Sequence, residues 1–514
     1  MHGGDGDGGG GEFGTKTELS GVSTPGDAEA GAGQGHHHHG SGATTTLFKR
    51  PVVRQWFHRG VIWRAAGQTE IMAIELFFDL LYVGIIHSNG EHMAEDPTGQ
   101  ELLRFAITFI MSWKIWTEIT SALSWFESDD VFTKVEVLFN LACLLAFTTN
   151  MISSFNEDPA HNTYAQLVGF YLATRFVTAF HFGVNYFLLP MVRGVMLASC
   201  IQVLIPTALW IGSIYVEMPD RLALIWIAIA LDMWGQIFYF APVQYILQYR
   251  KEAADTPLTR VVRSMFDYLP AVNIEHRVER TNAFVSLVLG YSVVGILFQS
   301  NGGYNINAFL GKAVIGLLQA FFFNWIYFDI DGSGIEQHAI RRSGFAMTIW
   351  NNAHLPFIMA YIIATSALSR LVLASDMSNT HPEQLTENYR GLAEEEFGAG
   401  VRYFYCHGLA IALLSMTAIA LSHSHFSEGR RLAKKYRLAN RVAMALIMFF
   451  LPLATSLRSL HLISITFGLI SWVLIVELWG VSLKGRSCFG EVDCTRKAFH
   501  GSREEEDAKL PTVT

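Results

Sequence analysis

From Ile71 onward the chain alternates long apolar stretches with short polar links. A helix needs about 20 residues to cross the hydrocarbon of a bilayer, and about twelve stretches meet that length. They cover residues 71–88, 102–126, 132–153, 164–187, 192–216, 221–245, 281–300, 306–329, 344–373, 401–422, 438–457 and 460–482. They are too long and too evenly apolar for the strands of an outer-membrane barrel, whose residues alternate. The stretch 344–373 holds Asn351, Asn352, His354 and Pro356, so a kink or break is expected there. The last two stretches divide around Ser456, Arg458 and His461. The pattern predicts an all-α fold: a polytopic transmembrane helix bundle of about twelve spans.

Composition agrees with this pattern. The chain is 51% hydrophobic and only 16% charged, where a soluble protein is about 25% charged. No basic domain points to nucleic acid. Residues 1–46 are rich in Gly, Ser, Thr and Asp and are expected to form a disordered tail, without the apolar core of a cleavable signal peptide. The tetrad His36 to His39 within it reads as low-complexity polar sequence, with weak binding of a transition metal as the alternative. Cys143, Cys200 and Cys406 lie in apolar stretches, where a thiol packs as a small hydrophobe; Cys488 and Cys494 lie in the C-terminal tail with no zinc-site spacing. No metal and no cofactor is expected.

Lys and Arg gather in alternate links, which sets orientation. Before the first stretch stand Lys49, Arg50, Arg54, Arg59 and Arg64; after the sixth, Arg250, Lys251, Arg260, Arg263, Arg277 and Arg280; after the tenth, Arg430, Arg431, Lys434, Lys435, Arg437 and Arg441; and in the tail, Lys484, Arg486, Arg496 and Lys497. The other links are acidic, with Glu91, Glu95 and Asp96 in one and Glu394, Glu395 and Glu396 in another. All the basic clusters fall on one side only if the helix count is even at each point. Both termini are therefore expected to be cytosolic, in a plasma membrane or an endomembrane.

The chain also resembles itself. Arg175-Phe176 with His181 in the fourth stretch matches Arg402-Tyr403 with His407 in the tenth. Pro206 matches Pro452, and Asp232-Met233-Trp234-Gly235 matches Glu477-Leu478-Trp479-Gly480. Trp113, Trp116, Asp129 and Asp130 match Trp325, Asp329 and Asp331. The same order in both suggests a parallel repeat of about six helices each, as in some secondary transporters. The expected divisions are a tail 1–46, a first half 47–245, a basic link 246–276, a second half 277–485 and a tail 486–514.

Ionisable groups within apolar stretches are the candidate chemistry. Glu75 and Asp79 are one helical turn apart and share a face. They form either a proton or cation site in a cavity, or a buried ion pair, for which Arg175 is the evident partner. Lys114 and Glu118 have the same spacing and are expected to neutralise one another. Asp232 and Glu477 are single acids in deep apolar context, placed to serve a cation path, to cap a neighbouring helix or to pair with His181 or His407. Glu127, Asp129, Asp130, Asp329 and Asp331 are expected at a membrane boundary, in water. His354 reads as a satisfied interior histidine that could also shuttle protons. No HExxH, CxxC, P-loop, GxGxxG with strand context or GxSxG is present, which weakens an enzymatic reading.

The chain resembles the low temperature requirement A family of bacteria and fungi. The residues that carry the resemblance are Glu75-Leu76-Phe77-Phe78-Asp79-Leu80; Glu279-Arg280 leading into Phe284, Leu287, Leu289 and Gly290; Trp325-Ile326-Tyr327-Phe328-Asp329; and His354-Leu355-Pro356. The resemblance covers about residues 50–485 and implies a membrane location and a helical architecture. The family's usual Gly-Glu late in the seventh helix is Gly290-Tyr291 here. A tyrosine donates a hydrogen bond but does not ionise near neutral pH, so no proton role passes through that position. The expected partners are the lipid bilayer and a small solute or ion. The functional alternatives are proton-coupled transport, a structural or sensory component needed in the cold, and an intramembrane enzyme acting on a lipid. The last would need a paired acid or histidine site open to the membrane face, and a lipid-shaped cavity ending at Asp79 or His354 would favour it.

Overall fold

The computed structural model describes residues 47–58, 61–64, 73–127, 130–249, 256–297, 306–385, 387–391, 393, 396–426 and 429–484. The expected tail 1–46 with its histidine tetrad, Asp129, Arg250, Lys251, Glu394, Glu395, and the C-terminal tail with Cys488 and Cys494 lie outside the described residues. The chain divides into the units Met1–Thr45 and Thr46–Thr514, and every described residue belongs to the second.

Every apolar stretch forms a helix. In chain order these are α1 (Ala73–Glu95), α2 (Gly99–Trp125), α3 (Val131–Asn150), α4 (Tyr164–Leu188), α5 (Arg193–Ile214) and α6 (Arg221–Tyr249). There follow α7 (Ile274–Leu297), α8 (Ala308–Trp325), α9 (Gly344–Leu373), α10 (Ala399–Ser422), α11 (Lys434–Phe450) and α12 (Ser459–Val481). Eight segments among the described residues are long and apolar enough to cross a membrane: Val131–Asn150, Tyr164–Leu188, Pro190–Ile214, Ala308–Asp331, Gly344–Leu373, Ala399–Ser422, Lys434–Leu453 and Ser459–Val481. The helix starts are chosen by short polar side chains that accept from free backbone N–H groups. Thr98, Asp130, Asn307 and Ser343 cap α2, α3, α8 and α9 in this way. The expected break at Pro356 does not occur, since α9 runs unbroken through it. The division between the last two stretches does occur, where Leu451–Leu453 forms a 3-10 turn before α12.

Two sets of links gather in space. The first carries short strands that the apolar pattern could not reveal: β1 (Val52–Val53), β2 (Gln55–His58), β3 (Val61–Arg64), β4 (Phe126–Glu127), β5 (Tyr268–Pro270), β6 (Ile335–Gln337) and β7 (Ser424–His425). β1 pairs with β4, β2 with β3 and β5, and β6 with β7, all antiparallel, and Arg430 bridges to Leu483. β1 to β5 join the segment before α1 to the links that follow α2 and α6, while β6, β7 and the Arg430 bridge join the links that follow α8, α10 and α12 to one another. The second set joins links after odd-numbered helices. Ala308 N–H donates to Asn379 O at 2.9 Å, and Arg402 donates to Ala454 O at 2.9 Å and Leu457 O at 2.8 Å. The Ser459 N–H donates to Asp376 at 2.6 Å. The main core lies between the helices and includes Phe78, Tyr82, Trp116, Phe284, Phe357 and Tyr405.

Candidate functional site

Three clusters of buried charge hold the ionisable residues that the sequence singles out. The first joins α1, α2 and α7. Arg280 donates from Nη1 to Asp79 Oδ2 at 2.7 Å and from Nη2 to Asp79 Oδ1 at 2.8 Å, a two-pronged match of planar groups. Its Nε lies 3.2 Å from Glu75 Oε2, and His276 Nε2 lies 3.0 Å from the same oxygen. Trp116 Nε1–H donates to Asp79 Oδ1 at 2.8 Å. Both acids, Arg280 and His276 are buried. Trp113, Trp116 and Phe284 close over the cluster, with ring centroids 4.8 to 5.3 Å apart.

The expected partner of Glu75 and Asp79, Arg175, is elsewhere. It forms the second cluster, within α2, α4 and α6. Arg175 donates to Asp232 Oδ1 at 2.7 Å and contacts Glu118. Lys114 lies 3.2 Å from Glu118, as its spacing predicts. Asp232 also accepts from Tyr171 OH at 2.7 Å and Trp210 Nε1 at 2.8 Å. Asp232 thus does not pair with a histidine; His181 binds Glu136 at 3.0 Å instead.

The third cluster lies in α11, α12 and the π-helical turn Ile326–Asp331 that follows α8. Arg441 grips Asp331 with two bonds of 2.7 and 2.8 Å and reaches Glu477 Oε1 at 2.6 Å; Arg437 contacts the other oxygen of Glu477. Asp331, expected in water, is buried. Asp329, two residues earlier and so on the opposite side of the helix, is exposed as expected. His407 accepts no acid either, and its Nε2 meets Phe449 O at 3.0 Å. Asp130, likewise expected in water, is a buried helix cap, accepting from Lys49 N and Thr133 N at 2.8 Å.

The remaining sequence candidates are outside these clusters. Glu279 is exposed. Trp325 packs edge-on to Phe321 at 5.7 Å. His354 is satisfied on both ring nitrogens, with Nδ1–H donating to Trp350 O at 2.6 Å and Nε2 lying 3.0 Å from Tyr327 OH. Tyr291 meets Ser366 Oγ at 3.3 Å. A cavity of about 10 Å³, room for about one water, is lined by Ser292, Gln319, Tyr361, Thr365 and Tyr405. Another of about 20 Å³ is lined by Phe48, Asp130, His181 and Asn185. Neither reaches Asp79 or His354. Among the described residues no three His, Cys, Asp or Glu side chains are grouped to hold a metal ion.

Over the third cluster, β6 and β7 bring three histidines together. His338 and His423 have ring centroids 4.5 Å apart. Ile340 N–H donates to His338 Nδ1 at 3.3 Å, and Ala339 N–H donates to His423 Nδ1 at 3.1 Å. His425 lies 3.1 Å from Asp331 O through Nε2, and its Nδ1 lies 3.0 Å from Lys434 Nζ. Burial, with Arg341 beside it, pushes the His338 imidazole down to about 4. Burial and Lys434 push His425 down to about 4 as well.

Sequence reasoning does not single out His276, and it takes Arg437 and Arg441 only as parts of a basic link. A signal is present for each: His276 and Arg280, like Arg437 and Arg441, are four residues apart at a helix start. These spacings mirror that of Glu75 and Asp79, so His276 and Arg280 on α7 face the two acids of α1 turn by turn.

The family model of the bacterial low temperature requirement A protein matches residues 70–476. No curated protein and no solved structure matches the chain. The match takes in the first two charge clusters, all of the third but Glu477, and all twelve long helices apart from the last residues of α12, and the chain therefore belongs to the low temperature requirement A family of integral membrane proteins.

Proposed function

We propose that the chain crosses the membrane about twelve times and moves a small solute or ion by relative motion of two halves, α1–α6 and α7–α12. The count is supported by the links. Contacts join links after even-numbered helices to one another, and links after odd-numbered helices to one another, as alternate crossings require. The set that holds the basic residues would be cytosolic, with both termini.

The observation that carries the reading is where the charge clusters fall. One lies within α2, α4 and α6, and ties the first half. One lies within α8, α11 and α12, and ties the second. The first cluster crosses between the halves, from α1 to α7, and a more exposed pair, Glu95 and Arg370 at 3.4 Å, joins α1 to α9. Buried pairs hold helices in register, because separating them strands a charge in a medium that cannot solvate it. Two internally tied bodies joined by a buried ionic lock are the parts that rocking motion about a central site requires.

The closed packing favours a second reading, a structural component needed in the cold, in which the pairs serve only as ties. Every acid in the clusters is paired, and the two cavities hold about one water each. Purified protein in liposomes decides between them. The transport reading expects ion or proton flux under a gradient or a voltage, reduced by Glu75→Gln with Asp79→Asn. No flux, with that double variant still supporting growth in the cold, favours the structural reading.

A further inference from the structure

Arg54, between β1 and β2, is a buried cation that no acid answers. It is 8% exposed, and its Nε and Nη1 are buried without a hydrogen-bond partner. The arginines of the three clusters grip carboxylates; Arg54 pairs with none among the described residues. Acids of the neighbouring segments are taken: Glu136 by His181 at 3.0 Å, Asp267 by His58 at 3.5 Å and Glu275 by Arg64 at 3.8 Å. A guanidinium held from water without an acceptor is costly. A water molecule would satisfy an N–H but leave the charge, whereas an anion does both.

A second idle donor stands across from it. The Arg54 N–H donates to Trp125 O at 2.9 Å, which continues the ladder in which Val53 faces Phe126 and Val52 faces Glu127. Residues opposite one another in an antiparallel ladder carry their Cβ atoms about 4.5–5.5 Å apart on one face. Arg54 and Trp125 therefore leave the backbone side by side. Trp125 is also 8% exposed, and its Nε1–H is buried without an acceptor. Indole and guanidinium can only donate, and the planar fork of an arginine matches phosphate oxygens.

The surroundings say which anion. The same segment exposes Leu47, Phe48, Val52, Phe57, Ile62 and Trp63. Lys49, Arg50 and Arg64 stand exposed among them. Apolar and basic side chains interleaved just outside a spanning helix, with a tryptophan among them, suit a segment lying in the headgroup region. In the orientation proposed above this side is cytosolic, and that leaflet carries the anionic lipids. We propose that Arg54 and Trp125 bind the phosphate of an anionic phospholipid, with its acyl chains against the exposed apolar residues of the segment. The lipid so held fastens the segment before α1 to the end of α2. The leaflet rests on that orientation; the site depends neither on it nor on transport.

Thermal unfolding of the full chain, delipidated in an uncharged detergent, tests this, with phosphatidylserine, phosphatidylcholine or inorganic phosphate added back. Lipid affinity is read in parallel by native mass spectrometry. Phosphatidylserine should raise the unfolding temperature of the wild type, as a ligand of the folded state does, and more than the other two. Arg54→Gln should bind it at least about tenfold more weakly, as loss of a charged hydrogen bond predicts, and should lose most of the temperature shift. Trp125→Phe should weaken binding by a smaller factor. Arg64→Gln, which removes an exposed cation of the same segment, should bind as the wild type does. Without lipid, Arg54→Gln should be at least as stable as the wild type, because it removes a buried charge that then has no partner. Four results would overturn the proposal: a wild type indifferent to phosphatidylserine, an equal shift in Arg54→Gln, equal losses in Arg54→Gln and Arg64→Gln, or an Arg54→Gln chain less stable even without lipid. A shift with inorganic phosphate as large as that with phosphatidylserine would overturn the lipid and assign a free anion to Arg54.

Discussion

Asp79 and Glu279 are both acids of the family's signature segments, and burial separates them. Asp79 accepts two bonds from Arg280 and one from Trp116 inside the bundle, while Glu279 faces outward from the same helix that carries Arg280. Breaking a buried pair leaves its partner uncompensated and costs about 3–5 kcal/mol. Asp79→Asn is therefore expected to lower stability in detergent by about that much, and Glu279→Gln by less than about 0.5 kcal/mol, both read by thermal unfolding. The first acid was legible in the sequence, because two carboxylates one turn apart in an apolar helix must meet a cation or water. Its partner was not. Arg280 is 201 positions away, and Arg175, nearer in sequence and deeper in an apolar stretch, is the stronger candidate until its own acids, Glu118 and Asp232, are located.

At the scale of elements, close helix packing depends on glycine where no side chain fits. A Cβ on Gly408 of α10 would stand 2.7 Å from Ala360 O and 2.8 Å from Ala364 of α9, whereas one on Gly84 of α1 meets nothing within 4 Å. Gly408→Ala should destabilise by about 1–3 kcal/mol, and Gly84→Ala should be neutral or mildly stabilising, measured in the same unfolding assay. The cap of β6 and β7 is expected to respond to acid. His338 and His425 are held neutral, from the ordinary 6.5 down to about 4. Such groups contribute fully above the unfolded value, and that contribution is lost as pH falls from about 6.5 towards 4. Hydrogen exchange at 335–337 and 424–425 should quicken over that interval after correction for the intrinsic rate. The helices themselves were legible from length and apolarity, but these strands were not: at two to four residues they carry no period to read. Asp331 is misplaced by the sequence for a related reason. Its position just after an apolar stretch suggests water, yet the π-turn at the end of α8 is held against α11 and α12 through Arg441.

At the scale of the whole molecule, the internal resemblance is partly echoed in the charges. Asp232 of α6 and Glu477 of α12 each share an arginine with a second acid, Glu118 of α2 or Asp331 after α8. The arginine is not equivalent. It comes from α4 in one half and from α11 in the other, and Arg402, the counterpart of Arg175, donates to the backbone carbonyls of Ala454, Thr455 and Leu457 instead. The prolines diverge too, Pro206 inside α5 and Pro452 in the turn beyond α11. A repeat read from residue types therefore reaches the acids and misses how each is neutralised, because neutralisation depends on which helices touch. The central claim is that α1 and α7 form the ionic lock between two internally tied halves. Electron–electron distance measurement between spin labels at Phe187 and Lys435, in a chain whose native cysteines have been replaced, tests it most directly. The account predicts one main distance with the lock intact and a second, longer population in Arg280→Gln, while labels at Lys435 and Leu483 within one half keep their separation. An unchanged distribution between Phe187 and Lys435 in Arg280→Gln would contradict it.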